Sequence, residues 1–311
     1  MSADQITLLH LSDLHATASG TLFETIPVAQ YVQDLTAQLP RTAPGLDAVV
    51  VTGDLVHRQD AAAYHGVFSA LSALREVFDI SLHLVPGNHD VSDHPAFSHP
   101  ACHQHAGIQH AGTQHAGTQH AGTQHAGAQH AGTGLPWSRQ LGPLRLIGLD
   151  SSTAELGEQQ LHRLREILRE PAPWGSVLCL HHSPVDSPLK NLAGRGLVDS
   201  AALADVVRGS DIRLILTGHY HHVQSGSFAG AGLWTTPALA YQQPTDDPQQ
   251  LSGEVVDRPM YSIITLTRHS WSAVPLELRR AATISSQTAS LQTASSQTAR
   301  PSATGHHTAS S

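Results

Sequence analysis

LHLVPGNHD, Leu82 to Asp90, is an apolar run that ends in four polar residues. The run reads as a short buried strand. Gly, Asn, His and Asp in a row at a strand end serve no packing purpose, so the segment presents chemistry at the edge of a sheet.

Four other apolar runs end the same way. LLHLS leads into Asp13-Leu14-His15, and VVVT into Gly53-Asp54. VLCL leads into His181-His182, and LILT into Gly218-His219-Tyr220-His221. Strands are predicted at Ile6–Leu11, Ala48–Val51, Ser81–Val85, Leu144–Leu149, Val177–Leu180, Arg213–Leu216 and Ser262–Leu266. Between them lie helical patterns. In DAAAYHGVFSALSALREVF, residues Tyr64, Val67, Phe68, Leu71, Leu74 and Phe78 share one face. ELGEQQLHRLREIL and DSAALADVV are two more, the latter with Asp199 or Ser200 as its cap. Strands alternating with helices predict an α/β fold. In open α/β sheets ligands bind outside the carboxyl ends of the strands, so five polar clusters there converge on one site.

The residue types select the chemistry. Asp13, His15, Asp54, Asn88, His181, His219 and His221 are all oxygen or nitrogen donors. No cysteine takes part, which disfavours a structural zinc site or an iron–sulfur cluster. Seven donors exceed what one tetrahedral ion takes. They suit two ions such as Mn, Fe or Zn, held about 3.5–4 Å apart with a carboxylate between them, the usual arrangement for in-line displacement at phosphorus. Taken singly, Gly-Asp or Asp-x-His is as common at turns as at metal sites. The ordered set of five carries the reading.

DLH, GD, GNHD, H and GHxH in this order resemble the calcineurin-like metallophosphoesterase superfamily, over roughly residues 5–275. The resemblance implies two mixed β-sheets packed as a sandwich flanked by helices, with a dinuclear site at the sheet edge. It implies that Asp13, His15 and His221 hold the first metal and Asn88, His181 and His219 the second, with Asp54 bridging. His89 then contacts the substrate phosphate and assists the leaving oxygen, with Asp90 orienting its ring. Of the two histidines in HHSP, the one directly after the strand is taken as the ligand. His182 is then a pocket residue or an exposed one. His10, His57 and His222 fall outside the motifs and read as bystanders.

Within the superfamily, SDLH near the N-terminus, VPGNHD, LHHSP, GHYHH and LDSSTAELGEQQL look most like the bacterial class III cyclic-nucleotide phosphodiesterases. That branch implies hydrolysis of a phosphodiester by a metal-bridging hydroxide, with 3′,5′-cyclic AMP as a candidate substrate. A glycerophosphodiesterase, a broad-specificity diesterase or a phosphatase shares the same ligands. A non-catalytic scaffold of the same fold is a further alternative, against which all seven ligands and His89 are present. Specificity is expected from loops. Asn88, His89, His182, Arg195 and Tyr241 are the candidate substrate contacts, with Lys190 and Asn191 beside Arg195; the loop members equally fit ordinary loop positions.

The remaining features set boundaries. A phosphoesterase domain is expected over 1–280, with an insert at 94–134 that holds six copies of QHAGx from Gln104 to Thr133. Histidines five residues apart share no helical face. The array therefore reads as a tolerated insertion or a loose metal trap, and not as the metal site. It replaces whatever recognition element similar proteins supply after GNHD. The Ser/Thr/Gln/Ala-rich tail, 281–311, is expected to be disordered. A net charge of −8 argues against a duplex nucleic-acid binder. No apolar stretch is long enough to span a bilayer, and the first residues lack a basic leader, so a cytoplasmic location is expected. Similar enzymes commonly form homodimers.

Overall fold

The computed structural model describes residues 4–97, 135–244 and 255–279. Most of the predicted insert and the predicted tail lie outside the described residues.

Two mixed sheets carry the fold. The first has five strands: β1 (Ile6–Leu11), β2 (Ala48–Thr52), β3 (Ser81–Val85), β10 (Met260–Leu266) and β11 (Trp271–Glu277). Their order is β11-β10-β1-β2-β3, with β1, β2 and β3 parallel and the other pairings antiparallel. The second has six: β4 (Trp137–Leu141), β5 (Leu144–Gly148), β6 (Ser176–Cys179), β7 (Ile212–Thr217), β8 (Gln224–Phe228) and β9 (Ala231–Thr235), in the order β4-β5-β6-β7-β9-β8. Here β5, β6, β7 and β9 run parallel and both edges are antiparallel.

Strand periodicity explains the layering. Ile6 and Leu8 of β1, with Ala48 and Val50 of β2, face the second sheet and meet Leu144, Leu146, Val177, Leu214 and Leu216. The alternate residues Leu9, Leu11, Val49 and Val51 face the other way, against α1 (Val28–Thr42) and α2 (Tyr64–Phe78). On the far side, Ile147, Leu178 and Ile215 pack on α3 (Gly157–Ile167) and α4 (Ser200–Val207). The parallel strands are thus covered on both faces, which is why they read as unbroken apolar runs. Each fully buried Leu or Val contributes about 1.5–3 kcal/mol. Two indole N–H groups tie the sheets together: Trp137 Nε1 donates to the Leu84 carbonyl at 2.9 Å, and Trp234 Nε1 to Ser262 Oγ at 3.1 Å.

Two local expectations change. Asp199 stands before α4 without a side-chain bond to it. Its carboxylate instead accepts from the Leu156 and Gly157 N–H groups at the start of α3, because the exposed N–H groups of a neighbouring helix are equally good donors. His94 and Phe97, placed in the insert from sequence, belong with α2. His94 stacks on Tyr64 at 3.9 Å and Phe97 is fully buried.

Candidate metal centre

The parallel strands β1, β2, β3, β6 and β7 all end at one edge, and the loops that follow interlock through their backbones. Asp13 N–H donates to the Gly53 carbonyl at 3.0 Å, His15 N–H to Asp54 at 2.8 Å, and Gly218 N–H to His181 at 3.1 Å. Such close approach requires glycine, at Gly87 as well as at Gly53 and Gly218. A Cβ on Gly53, whose φ is +91°, would lie 2.7 Å from Gly87 Cα, and one on Gly218 would overlap Ser12 Oγ. Asp13, His15, Asp54, His219 and His221 themselves adopt left-handed backbone, with φ between +49° and +73°. Strain of this kind clusters at functional sites, at about 1–3 kcal/mol per residue.

The loops bring all seven predicted donors together. Asp13, His15, Asp54, His181 and His221 are buried, His219 is half-buried and Asn88 is exposed. Each carboxylate is anchored by one oxygen and turns the other inward. Asp13 Oδ2 accepts from His219 N–H at 3.0 Å, and Asp54 Oδ1 from His89 N–H at 2.8 Å. Two imidazoles follow the same rule. His181 Nδ1 lies 2.7 Å from the Thr52 carbonyl oxygen, and His221 Nδ1 lies 3.0 Å from that of Tyr241.

The inward atoms are close neighbours. His221 Nε2 is 3.2 Å from Asp13 Oδ1 and 3.1 Å from His15 Nε2. His181 Nε2 is 3.1 Å from Asn88 Oδ1 and 3.3 Å from His219 Nδ1. Asp54 Oδ2 stands between the two groups, 3.6 Å from His15 Nε2 and 3.4 Å from His181 Nε2.

Carboxylate oxygens and ring nitrogens crowded within 3–4 Å of one another are an arrangement that a bound cation would satisfy. Asp13 Oδ1 is buried and, among the described residues, receives no hydrogen bond. Burial opposes ionisation of Asp13 and Asp54, yet neighbouring imidazoles overcome it and hold both carboxyls well below the usual range, through His221 and His181 for Asp13 and through His181 and His15 for Asp54. Burial pushes His15 down to about 3. For His181 burial also disfavours charge, but Asp54 outweighs it and lifts the imidazole to about 9. Ionised carboxylates and a neutral His15 are forms that bind metal, and His181 would give up its proton to a bound ion. The donor set fits metal ions: Asp13, His15 and His221 bring their ligand atoms within 4.8 Å of one another, as do Asp13, Asp54 and His181.

The other predicted site residues divide. His182 is buried, its ring 4.3 Å from that of His219. Tyr241 is buried against His221 at 4.3 Å. Arg195 is exposed, and among the described residues its side chain makes no hydrogen bond or ion pair with the site. Asp90 corrects the sequence reading. Its carboxylate accepts from the N–H groups of Leu55, Val56 and Gly87 and from the Tyr64 hydroxyl. It clasps the turns from behind and does not orient the His89 ring, because the turn after Gly87 buries residue 90 and leaves residue 89 at the surface of the site. The His89 ring nitrogen Nδ1 accepts instead from Arg58 N–H at 3.2 Å.

Two residues at the site were not read from sequence. His57, taken for a bystander, stacks on His89 at 5.1 Å and approaches His15 with Nδ1–Nδ1 at 3.3 Å. Phe23, 46% exposed, meets His57 at 5.7 Å and Tyr241 at 5.6 Å. The signal available for His57 was its place three residues after Asp54; for Phe23 there was none.

The family model described as calcineurin-like phosphoesterase matches residues 6–223, which span all seven candidate donors. The chain belongs to this family. Among calcineurin-like phosphoesterases it is 31% identical over 255 residues to a Rhodococcus erythropolis protein named "Probable cyclic nucleotide phosphodiesterase", covering 76% of this chain and 71% of that one. It is 30% identical over 244 residues to a cAMP/cGMP dual specificity phosphodiesterase of Mycobacterium tuberculosis, covering 76% and 68%. The fold matches a purple acid phosphatase from yellow lupin (Lupinus luteus) seeds at a TM-score of 0.53 and 12% identity, covering 88% of this chain and 51% of that chain. The calcineurin-like phosphoesterase fold expected from the motifs, two mixed sheets flanked by helices, is the fold observed. As a member of this family the chain is a phosphoester hydrolase. Among the described residues, no helix is long and apolar enough to cross a membrane.

Proposed function

We propose that the chain is a dinuclear metal-dependent phosphodiesterase whose substrate is a 3′,5′-cyclic nucleotide. The observation that carries the reading is Asp54 Oδ2, shared between a His15 group and a His181 group at 3.6 and 3.4 Å. Asp13, His15 and His221 would hold one ion, Asn88, His181 and His219 the other, and Asp54 both; Mn, Fe or Zn suits the donors. When bound, two such ions acidify a water molecule and neutralise the charge that builds on the phosphoryl oxygens.

The chain's own residues supply the rest. Arg58 N–H donates to His89 Nδ1, so a neutral His89 carries its proton on Nε2. From that nitrogen His89 would donate a hydrogen bond to the leaving oxygen and stabilise the charge that builds there. Asp54 Oδ1 fixes the His89 backbone, so the carboxylate that would hold both ions and the His89 ring are tied together. Substrate class rests on two supports. The Rhodococcus and Mycobacterium relatives bear the names "Probable cyclic nucleotide phosphodiesterase" and cAMP/cGMP dual specificity phosphodiesterase. Phe23, exposed beside the buried Tyr241, also gives the mouth an aromatic face on which a base can stack.

The test is hydrolysis by the metal-stripped, Mn²⁺-reloaded full chain. The panel is 3′,5′-cAMP, 2′,3′-cAMP, a glycerophosphodiester, an aryl diester and an aryl monoester, with Asn88→Ala as blank. Preference for 3′,5′-cAMP supports the proposal. Turnover of the generic diester alone keeps the metal chemistry and discards the substrate, and no turnover of any ester overturns both.

A further inference from the structure

Each imidazole that turns Nε2 inward has its far nitrogen occupied. For His181 the partner is the Thr52 carbonyl, and for His221 that of Tyr241. For His15 the partner is a side chain: His57 Nδ1, at 3.3 Å from His15 Nδ1. A neutral imidazole that ligates through Nε2 carries its proton on Nδ1, and the group accepting that proton fixes the ring. His15 Nδ1 is then the donor and His57 Nδ1 the acceptor.

His57 is itself held for this task. Its N–H donates to the Ala16 carbonyl at 2.9 Å, and Ala16 N–H returns to Leu55 at 2.9 Å, so the two loops advance together. Its ring lies against the face of His89 at 27° and against the edge of Phe23 at 78°. Held by one stacked and one edge contact, the ring presents Nδ1 to His15.

We infer that His57 is a positioning residue of the metal centre, whose Nδ1 accepts the His15 Nδ1–H and keeps His15 Nε2 aimed at the first ion. The inference rests on the metal-pair reading but not on the substrate. Loss of such an outer partner lowers metal affinity by about 10–100-fold. The aromatic stack and the acceptor can be separated: His57→Phe keeps the ring without an acceptor, and His57→Asn keeps an acceptor without the ring.

The experiment titrates metal-stripped full-length wild type, His57→Phe, His57→Asn and His57→Ala with Mn²⁺, reading the exchange-coupled electron paramagnetic resonance signal of a Mn²⁺ pair. Mn²⁺ ranks low in affinity for nitrogen ligands, so the QHAGx histidines compete little, and Mn²⁺ scattered among them gives no coupled signal. The Phe and Ala variants are expected to need about 10–100-fold more Mn²⁺ than wild type, and Asn about threefold or less. Metal-free melting curves identify a variant that fails to fold, and the Ala–Asn contrast carries the same reading if Phe does. Equal requirements in wild type, Phe and Ala overturn the inference. So does an equal loss in Phe and Asn. A wild type that gives no coupled signal overturns the metal-pair reading, and this one with it, whatever its activity on cyclic nucleotides.

Discussion

The Tyr64 hydroxyl donates to Asp90 Oδ1 at 3.2 Å and accepts the Val91 N–H at 2.9 Å, so the first residue of α2 is fastened to the turn that carries Asn88 and His89. Asp90 in turn gathers three backbone N–H groups from two loops. Asp90→Ala strands these donors in the interior. We expect a loss of about 3–5 kcal/mol in denaturant unfolding, against about 1 kcal/mol for Tyr64→Phe. If Asp90 served only to orient His89, Asp90→Ala would lower kcat and leave stability unchanged.

Asp54 is asked to serve two ions at once. Asp54→Asn keeps its shape and removes the shared charge. The chain is then expected to lose at least about 100-fold in affinity for the metal pair, more than an outer partner costs. Metal content after dialysis against dilute Mn²⁺ checks it: near two ions per site in wild type, fewer than one in the variant.

Gly53 sits at φ +91° with Gly87 Cα against it. Gly53→Ala adds a strained backbone and a collision with main chain that cannot swing aside. The expected cost is about 2–4 kcal/mol of stability, with loss of activity at room temperature. A fully active, equally stable variant would show that the loops have more room than the geometry allows.

Phe23 offers an exposed ring beside Tyr241 and His57. Base–aromatic stacking is worth about 1–3 kcal/mol. Phe23→Ala should therefore raise KM for 3′,5′-cAMP by about 5- to 100-fold while kcat changes little. An aliphatic phosphodiester, having no base, should show no such change. Equal losses on both substrates would remove Phe23 from the binding site.

His10 lies inside β1, fully buried between the sheets, with Nε2 on Thr52 Oγ1 at 2.9 Å and no partner for Nδ1 among the described residues. Burial lowers it from 6.5 to about 3, although Asp13 pulls the other way. Between these values the unfolded chain binds a proton that the folded chain refuses. Stability is then complete above pH 6.5 and falls as pH drops toward 3, by up to about 1.4 kcal/mol per pH unit. His10→Gln should flatten that part of the curve in chemical denaturation from pH 7 to 4.

The central strands were legible in the sequence because burial on both faces leaves them no choice but apolar runs, as in Val49-Val50-Val51. The same physics hid the edges. β4 exposes Arg139 and Gln140, and β11 alternates with polar residues and contains Pro275, so neither stands out from loop. α1 escaped because Gln, Asp and Thr fill its outer face and Pro40 interrupts its last turn. The seven candidate donors were readable because each lies within four residues of a strand end. What lay beyond was set by backbone direction. Left-handed turns at Asp54 and Arg58 swing His57 into the site, and the turn after Gly87 carries Asp90 out of it. Nothing in the order of residues declares a turn's handedness when Asp, His and Arg adopt it in place of Gly.

The left-handed backbone at Asp13, His15, Asp54, His219 and His221 has a consequence for how such a chain changes over generations. Asparagine tolerates this conformation and carries no charge. Asp13→Asn therefore keeps the backbone but gives up the imidazole contacts that favour the carboxylate, so it should lower the melting temperature of the metal-free protein as well as end metal binding. At this position fitness for chemistry and fitness for folding point the same way. Drift without selection for hydrolysis would keep the carboxylate for as long as it keeps the fold.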